Sequence, residues 1–516
     1  MYWKQKQYSF SLRKRVPSKV ATTTQITICN GEIYVKFAMK ILALLILAGA
    51  AFLQAQIRNF SHIVVIVQEN RTPDNLFQGL CTLPYGTSTS CSITPTGKQY
   101  DIQTSNWLDN SSPTHVTQPH VVPLANTYDL GHAHFAWVKQ CDRNAAGNCT
   151  MDGASKTNCS GGVCPAKPQF AYVDNSKGAL NPYLELATQY GWANSMFQTN
   201  QGPSFPAHQF IFGATSAPSL AADHAGTFSS ENMSGKGRAA GCIAESTRRV
   251  QLIDSTGVEA PSNKIFPCFE HNTVIDLLQP RSITWRYYAP NANDIWTAPN
   301  AIQHICMPNG TNCTGADWVA NLDLHPADVL SDIANCKLRQ VTWVIPSGQN
   351  SDHPYTNTGG GPSWVASVVN AIGTSWAATN HKCDYWGNNS NDATAIFVVW
   401  DDWGGWYDHR APATLPPPQG GYQLGFRVPL LVVSAYTPVK LVDNTPHDFG
   451  SIVRFIEQNY GIPEGALTFA DARATTNLTN FFNLNQAARP FLNIHAQVGA
   501  AFFLNDKRPM TDPDND

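Results

Sequence analysis

The chain carries no surplus of positive charge. Its formal net charge is −3, and because residues 1–55 hold eight Lys/Arg and one Glu, the remainder has 26 basic and 36 acidic residues, a net of −10. So acidic a chain is poorly suited to binding nucleic acid or an anionic membrane by bulk electrostatics, and any phosphate it handles must be held by a local site. An apolar run of bilayer length is also missing: Ile41–Leu53 has thirteen residues, too few to span a membrane comfortably. None of the 13 cysteines stand in C-x-x-C spacing, which removes the usual zinc signature. Long repeats and low-complexity linkers are absent, so one large domain with insertions is expected.

The run Ile41–Leu53, preceded by Lys40 and followed by Gln54-Ala55-Gln56, matches the core of a secretory signal, with Met39 where such a signal starts. Residues 1–55 are therefore expected to be a spurious extension plus a signal peptide, with residues 56–516 as the working domain. The alternative for this segment is a short membrane anchor. Cysteine usage agrees with export to a secreted or periplasmic location. Cys29 precedes the expected signal and leaves twelve cysteines after it. Cys81 and Cys91, Cys141 and Cys149, Cys159 and Cys164, and Cys306 and Cys313 have spacings that suit short disulfide-closed loops in an oxidising compartment. The pairing itself stays open.

Two stretches organise the rest. Ile63-Val64-Val65-Ile66-Val67-Gln68 and Ala395-Ile396-Phe397-Val398-Val399-Trp400 are short, β-rich apolar runs, as expected of strands buried on both faces of a parallel sheet. The first ends in Glu69-Asn70 and the second in Asp401-Asp402. Ligands of open α/β sheets bind beyond the carboxyl ends of strands, so adjacent strands would bring these residues to one rim, and three crowded acids need a cation. Further strands are expected at Val341–Ile345 and within Arg427–Ser434. Helices are expected at about 363–378 and at Phe449–Tyr460, and a helix and strand within Leu184–Phe197. Residues 78–168 and 219–340 read as insertions, the second a cap region with an isolated strand at Ile283–Tyr288.

Gly202-Pro203-Ser204 forces a turn and opens a helix whose free N–H groups favour an anion. Ser204 is either a nucleophile there or a simple N-cap. A second Gly361-Pro362-Ser363 lacks neighbouring acids and reads as a cap. His132 and His134, a His-x-His pair in the first insertion, read by themselves as a satisfied surface pair ahead of a functional one.

In order along the chain stand Glu69-Asn70-Arg71 with Asp74, Gly131-His132-Ala133-His134 with Met151-Asp152-Gly153, Gly202-Pro203-Ser204-x-Pro206 and Ser351-Asp352-His353-Pro354. Asp401-Asp402-x-Gly404-Gly405-x-Tyr407-Asp408-His409, Gly425-Phe426-Arg427-Val428-Pro429 and Arg454-Phe455-Ile456-Glu457 follow. This series resembles the phosphoesterase family of bacterial phospholipases C and secreted acid phosphatases, over nearly all of residues 57–475. The resemblance implies an alkaline-phosphatase-like α/β fold with a mostly parallel sheet flanked by helices. It also implies one cation held by Glu69, Asn70, Asp401 and Asp402, a nucleophile at Ser204, and phosphate-facing histidines at His132 and His353. His409 is expected either to bind substrate or to pair with Asp408. All-oxygen ligation would favour Ca²⁺, Mg²⁺ or Mn²⁺ over zinc.

The implied activity is hydrolysis of a small phosphoester or a phospholipid through a phosphoserine intermediate. It requires the Ser204 hydroxyl to lie within roughly 8 Å of the grouped acids, the reach of one ion. The sequence departs from the family at Ala207-His208, where an Asn-Arg pair is common, and at Asp402, where Glu is more frequent. Serine rather than threonine as nucleophile, and the lack of additional β-domains after the catalytic one, point toward a phosphatase or general phosphoesterase rather than a phospholipase C. A catalytically silent extracellular binding protein is the rival of another class. A glycosidase using Asp401 with Asp402 is disfavoured, because adjacent strand residues point to opposite faces.

Overall fold

The computed structural model describes residues 59–511 except 232, 235–239, 391 and 416–422. The expected leader and Cys29 lie outside the described residues.

Eight segments build the central sheet: β1 (His62–Gln68), β2 (Gly191–Ala193), β3 (Trp285–Tyr288), β4 (Leu322–Asp323), β5 (Val341–Val344), β6 (Thr394–Trp400), β7 (Leu430–Val433) and β8 (Leu441–Asp443). Their spatial order is β4-β3-β5-β1-β6-β7-β2-β8. Only β7 opposes its neighbours, and all other pairings are parallel. All seven residues of β1 and of β6 are buried, as their unbroken apolar runs require when both sheet faces are covered. The sheet is thus mixed but mostly parallel, as expected.

One strand corrects the sequence reading. Trp285–Tyr288, expected to stand alone in a cap region, pairs with β5 on one side and β4 on the other. Residues 219–340 therefore contribute two strands to the core sheet rather than forming a pure insertion. The reason is local compensation. The polar Arg286 is accommodated in the strand because its Nη1 lies 2.8 Å from Asp332, which also accepts from the Tyr288 hydroxyl at 2.6 Å.

Four helices matter for the site: α1 (Asn181–Gln189), α2 (Ser204–Gly213), α3 (Gly361–Gly373) and α4 (Phe449–Asn459). α1 packs on α3, and α2 packs on α4. All ten residues of α2 are buried, so it is a core helix without a wet face. α4 begins with a reciprocal cap between Asp448 and Ser451. Ser363 does not cap α3: the helix starts upstream, with Gly360 at the N-cap, and the Ser363 hydroxyl accepts from the Val498 N–H at 3.5 Å.

The outlying segments are short ribbons held by disulfides. Cys81–Cys91, Cys141–Cys149, Cys159–Cys164 and Cys306–Cys313 pair as their spacing suggests, and Cys242–Cys268 and Cys336–Cys383 complete the set of twelve. Among the described residues, no helix is long and apolar enough to cross a membrane.

Candidate active site

β1 and β6 lie side by side in parallel register, with Gln68 opposite Trp400, so the next residues of each strand emerge together at the carboxyl rim. The Asn70 N–H donates to Asp401 Oδ1 at 3.0 Å and the Arg71 N–H to the Asp402 carbonyl at 3.1 Å, tying the two acidic turns together. Asn70 has φ 59°, a left-handed conformation that Asn tolerates and that ends the strand abruptly. Opposite it, Gly404 also has φ 59°, and a Cβ there would lie 2.4 Å from the Asn70 carbonyl oxygen. Only glycine permits this approach.

Ser204 is the first residue of α2, and Pro203 rather than Ser204 occupies the N-cap. Its hydroxyl donates to Asp402 Oδ2 at 3.2 Å, while Asp402 Oδ1 accepts the Gly404 N–H at 2.6 Å. The serine is therefore directed at the acids rather than at its own helix, well inside the required 8 Å. One turn along, at the spacing that shares a helix face, stands His208. Its Nε2 lies 3.3 Å from Glu69 Oε1 and 3.8 Å from Asp401 Oδ2.

Glu69, Asp401, Asp402 and Ser204 have no exposed surface, and His208 almost none. Burial, reinforced by Asp401 and Asp402, pushes the Glu69 carboxyl well above its ordinary range. Burial also pushes His208 down to about 4 against the pull of Asp401, so at neutral pH its ring is uncharged and does not neutralise the carboxylates. Both Glu69 oxygens, Asn70 Oδ1, Asp401 Oδ2 and both His208 ring nitrogens have no hydrogen-bond partner. One ligand atom from each of Glu69, His208 and Asp401 falls within 4.8 Å of the others. Buried charges without partners cost several kcal/mol each, and a shared cation removes that penalty, so the residues present fit a metal ion.

The expected histidines flank this cluster. His132 donates from Nδ1 to the Leu130 carbonyl at 2.6 Å, which fixes its tautomer and leaves Nε2 to accept from Asn70 Nδ2 at 3.0 Å. The bond turns Asn70 Oδ1 away from His132. His353 donates from Nδ1 to the Pro354 carbonyl at 2.7 Å, and its ring centre lies 6.1 Å from that of His132. Trp296 bridges the group, stacked on His208 with ring centres 6.2 Å apart and tilted against His353 at 5.9 Å.

His409 is engaged elsewhere, and the expected pairing with Asp408 is corrected. Its Nδ1 faces Asp74 Oδ2 at 2.7 Å and its Nε2 faces Asp101 Oδ1 at 2.9 Å, while Asp408 binds Arg427 at 2.9 and 3.0 Å. Burial pulls the His409 ring down, but the Asp74 charge and the bonds to Asp101 and Asp74 prevail and raise it to about 9. Both ring nitrogens donate, leaving neither for a substrate.

Two residues escaped the sequence reading. His208 was legible in principle, since Ser204 plus four residues shares its face. Glu231, whose carboxylate accepts the Phe205 N–H at 2.7 Å beside the serine, carried no signal, because only the fold brings it there.

Residues 60–463 match the model of the phosphoesterase family. The chain belongs to that family. Phospholipase C B of Mycobacterium tuberculosis is 27% identical over 186 residues, covering 32% of this chain and 33% of its own length. The non-hemolytic phospholipase C of Pseudomonas aeruginosa is 26% identical over 276 residues, covering 47% and 37%. The matched stretches thus span about a third of these curated relatives. A solved alkaline phosphatase superfamily protein from Vibrio parahaemolyticus is similar over 55% of this phosphoesterase and 61% of its own chain, at 14% identity and a TM-score of 0.28, too low to carry an argument.

Proposed function

We infer that this phosphoesterase is a cation-dependent phosphoester hydrolase in which Ser204 attacks phosphorus and carries the phosphoryl group as an intermediate. The observation that carries the reading is the 3.2 Å contact of the Ser204 hydroxyl with Asp402, beside buried Glu69 and Asp401 oxygens that have no hydrogen-bond partner. Glu69, Asn70, Asp401 and Asp402 would hold the cation, with the Ser204 oxygen beside it. When bound, the ion lowers the pKa of a neighbouring hydroxyl and offsets charge on phosphoryl oxygens. Asp402 Oδ2 is the acceptor that Ser204 offers its proton to. The first turn of α2 adds little to anion binding, because the Phe205 N–H is taken by Glu231 and Pro206 has no N–H. His132 orients the Asn70 side chain through its Nε2, and His353 is the candidate to protonate the leaving alcohol, a step worth on the order of 10²–10⁴ in rate. Attack on phosphorus breaks its bond to the leaving alcohol, and water then cleaves the phosphoseryl ester, releasing the phosphate product and restoring the Ser204 hydroxyl.

The printed names of the relatives favour a second reading, cleavage of a phospholipid headgroup in the manner of a phospholipase C. The six disulfides fit either reading in a secreted or periplasmic setting. The test is a panel of p-nitrophenyl phosphate, phosphodiesters and phosphatidylcholine vesicles, run with and without chelator, on the wild type and Ser204→Ala. Turnover that chelation abolishes and that Ser204→Ala lowers by on the order of 10³ or more supports the hydrolase. A function untouched by Ser204→Ala would identify a binding protein that keeps the site for stability.

A further inference from the structure

The expected ligands of the cation are all oxygens, yet the buried cluster contains an imidazole. We propose that His208 is itself a ligand of the cation through Nε2, making this a mixed nitrogen–oxygen site selective for a first-row transition ion over Ca²⁺ or Mg²⁺. The proposal rests on the reading that the cluster holds a cation.

Three observations carry it. The first is distance. Two ligands each about 2.1 Å from one ion lie about 3.0 Å apart at a right angle and about 4.2 Å apart across it. The separations of His208 Nε2 from Glu69 Oε1 and Asp401 Oδ2, 3.3 and 3.8 Å, fall inside that window. The second is satisfaction. Both ring nitrogens and the facing carboxylate oxygens are buried without a hydrogen bond, so the imidazole is not positioned as a donor to either acid. The third is support. α2 holds Ser204 and His208 one turn apart on one face, and Trp296 stacks on the ring with an interplanar angle of 19°, so the hydroxyl and the imidazole reach the same point from one rigid element. Imidazole suits Zn²⁺, Fe²⁺ and similar ions, whereas Ca²⁺ and Mg²⁺ take oxygen, so adding one nitrogen to a carboxylate set shifts preference toward the transition series. This revises the oxygen-only preference drawn from the sequence, which did not place His208 beside Glu69.

The test uses the full chain, stripped with chelator and reloaded with Mn²⁺ alone, and reads the metal by pulsed electron paramagnetic resonance. The expected result is one bound Mn²⁺ with a directly coordinated ¹⁴N coupling that disappears in His208→Gln and in His208→Asp. Mn²⁺ affinity should fall about tenfold or more in His208→Gln. His208→Asp, which restores an oxygen ligand, should instead narrow the Mn²⁺ over Ca²⁺ preference, a readout that a mere loss of packing would not produce. Stoichiometric Mn²⁺ without nitrogen coupling, or a coupling that persists in both variants, overturns the ligand assignment while leaving the cation reading intact. Failure of the wild type to bind any divalent ion overturns both.

Discussion

Ser204 sits at a helix start, but its energetics belong to the acids it faces. Three carboxylates and an imidazole packed with almost no exposed surface form an electrostatically unfavourable cluster in the absence of a cation, and burial pushes the Glu69 carboxyl well above its ordinary range. Glu69→Gln removes one buried charge while keeping the volume. In chelated protein it should unfold at a higher denaturant concentration than the wild type, by about 1–3 kcal/mol, yet gain nothing from added Mn²⁺. Equal stability of the two chelated proteins would show that Glu69 is not under this strain. At this scale the sequence was informative about identity and less so about role. Glu69, Asn70, Asp401, Asp402 and Ser204 could be picked out because strand ends and a Gly-Pro turn are local signals. His409 could not be assigned, because its two carboxylate partners, Asp74 and Asp101, stand 335 and 308 residues away.

At the scale of elements, the site depends on two turns pressed against each other, the one at Asn70 and the one at Gly404. Gly404→Ala meets both a left-handed backbone and a carbonyl oxygen at 2.4 Å. The variant should lose at least about 1–2 kcal/mol in denaturant unfolding and should bind the cation more weakly, because relieving the clash displaces Asn70. A Gly404→Ala protein with unchanged metal affinity would mean that the turn can shift without moving the ligands. Element type was legible wherever a run was apolar throughout, as in β1 and β6. It was misread at β3, expected to stand alone in a cap region, because its partners β4 and β5 are fixed by the tertiary fold and not by the strand's own residues. Disulfides contribute at this scale as well. Cys336–Cys383 closes a separation of 47 residues and Cys159–Cys164 one of 5. Chain-entropy arguments assign about 4 and about 2 kcal/mol to them, so the paired Ser replacement should cost more at the longer link when thermal unfolding is compared.

For the whole molecule, the buried network of Asp74, Asp101, Asp408, Arg427 and His409 sets a pH dependence. His409 ionises at about 9 when folded and near 6.5 when unfolded. Because the folded value is raised, its contribution is fully present below about 6.5 and is lost as pH rises through about 9. Wild type should therefore exceed His409→Gln in denaturant stability by a margin that is constant at acidic pH and shrinks between about 6.5 and 9. A margin independent of pH across that range would show that the ring is not held protonated.

Asn70 and Asp401, joined by a hydrogen bond at the rim, are 331 residues apart, and β6 arrives only in the last quarter of the chain. A polypeptide that has not yet reached β6 lacks Asp401 and Asp402 and so holds only half of the proposed cation pocket. The rim on which the proposed hydrolase site depends is thus closed only once the chain has been made through β6.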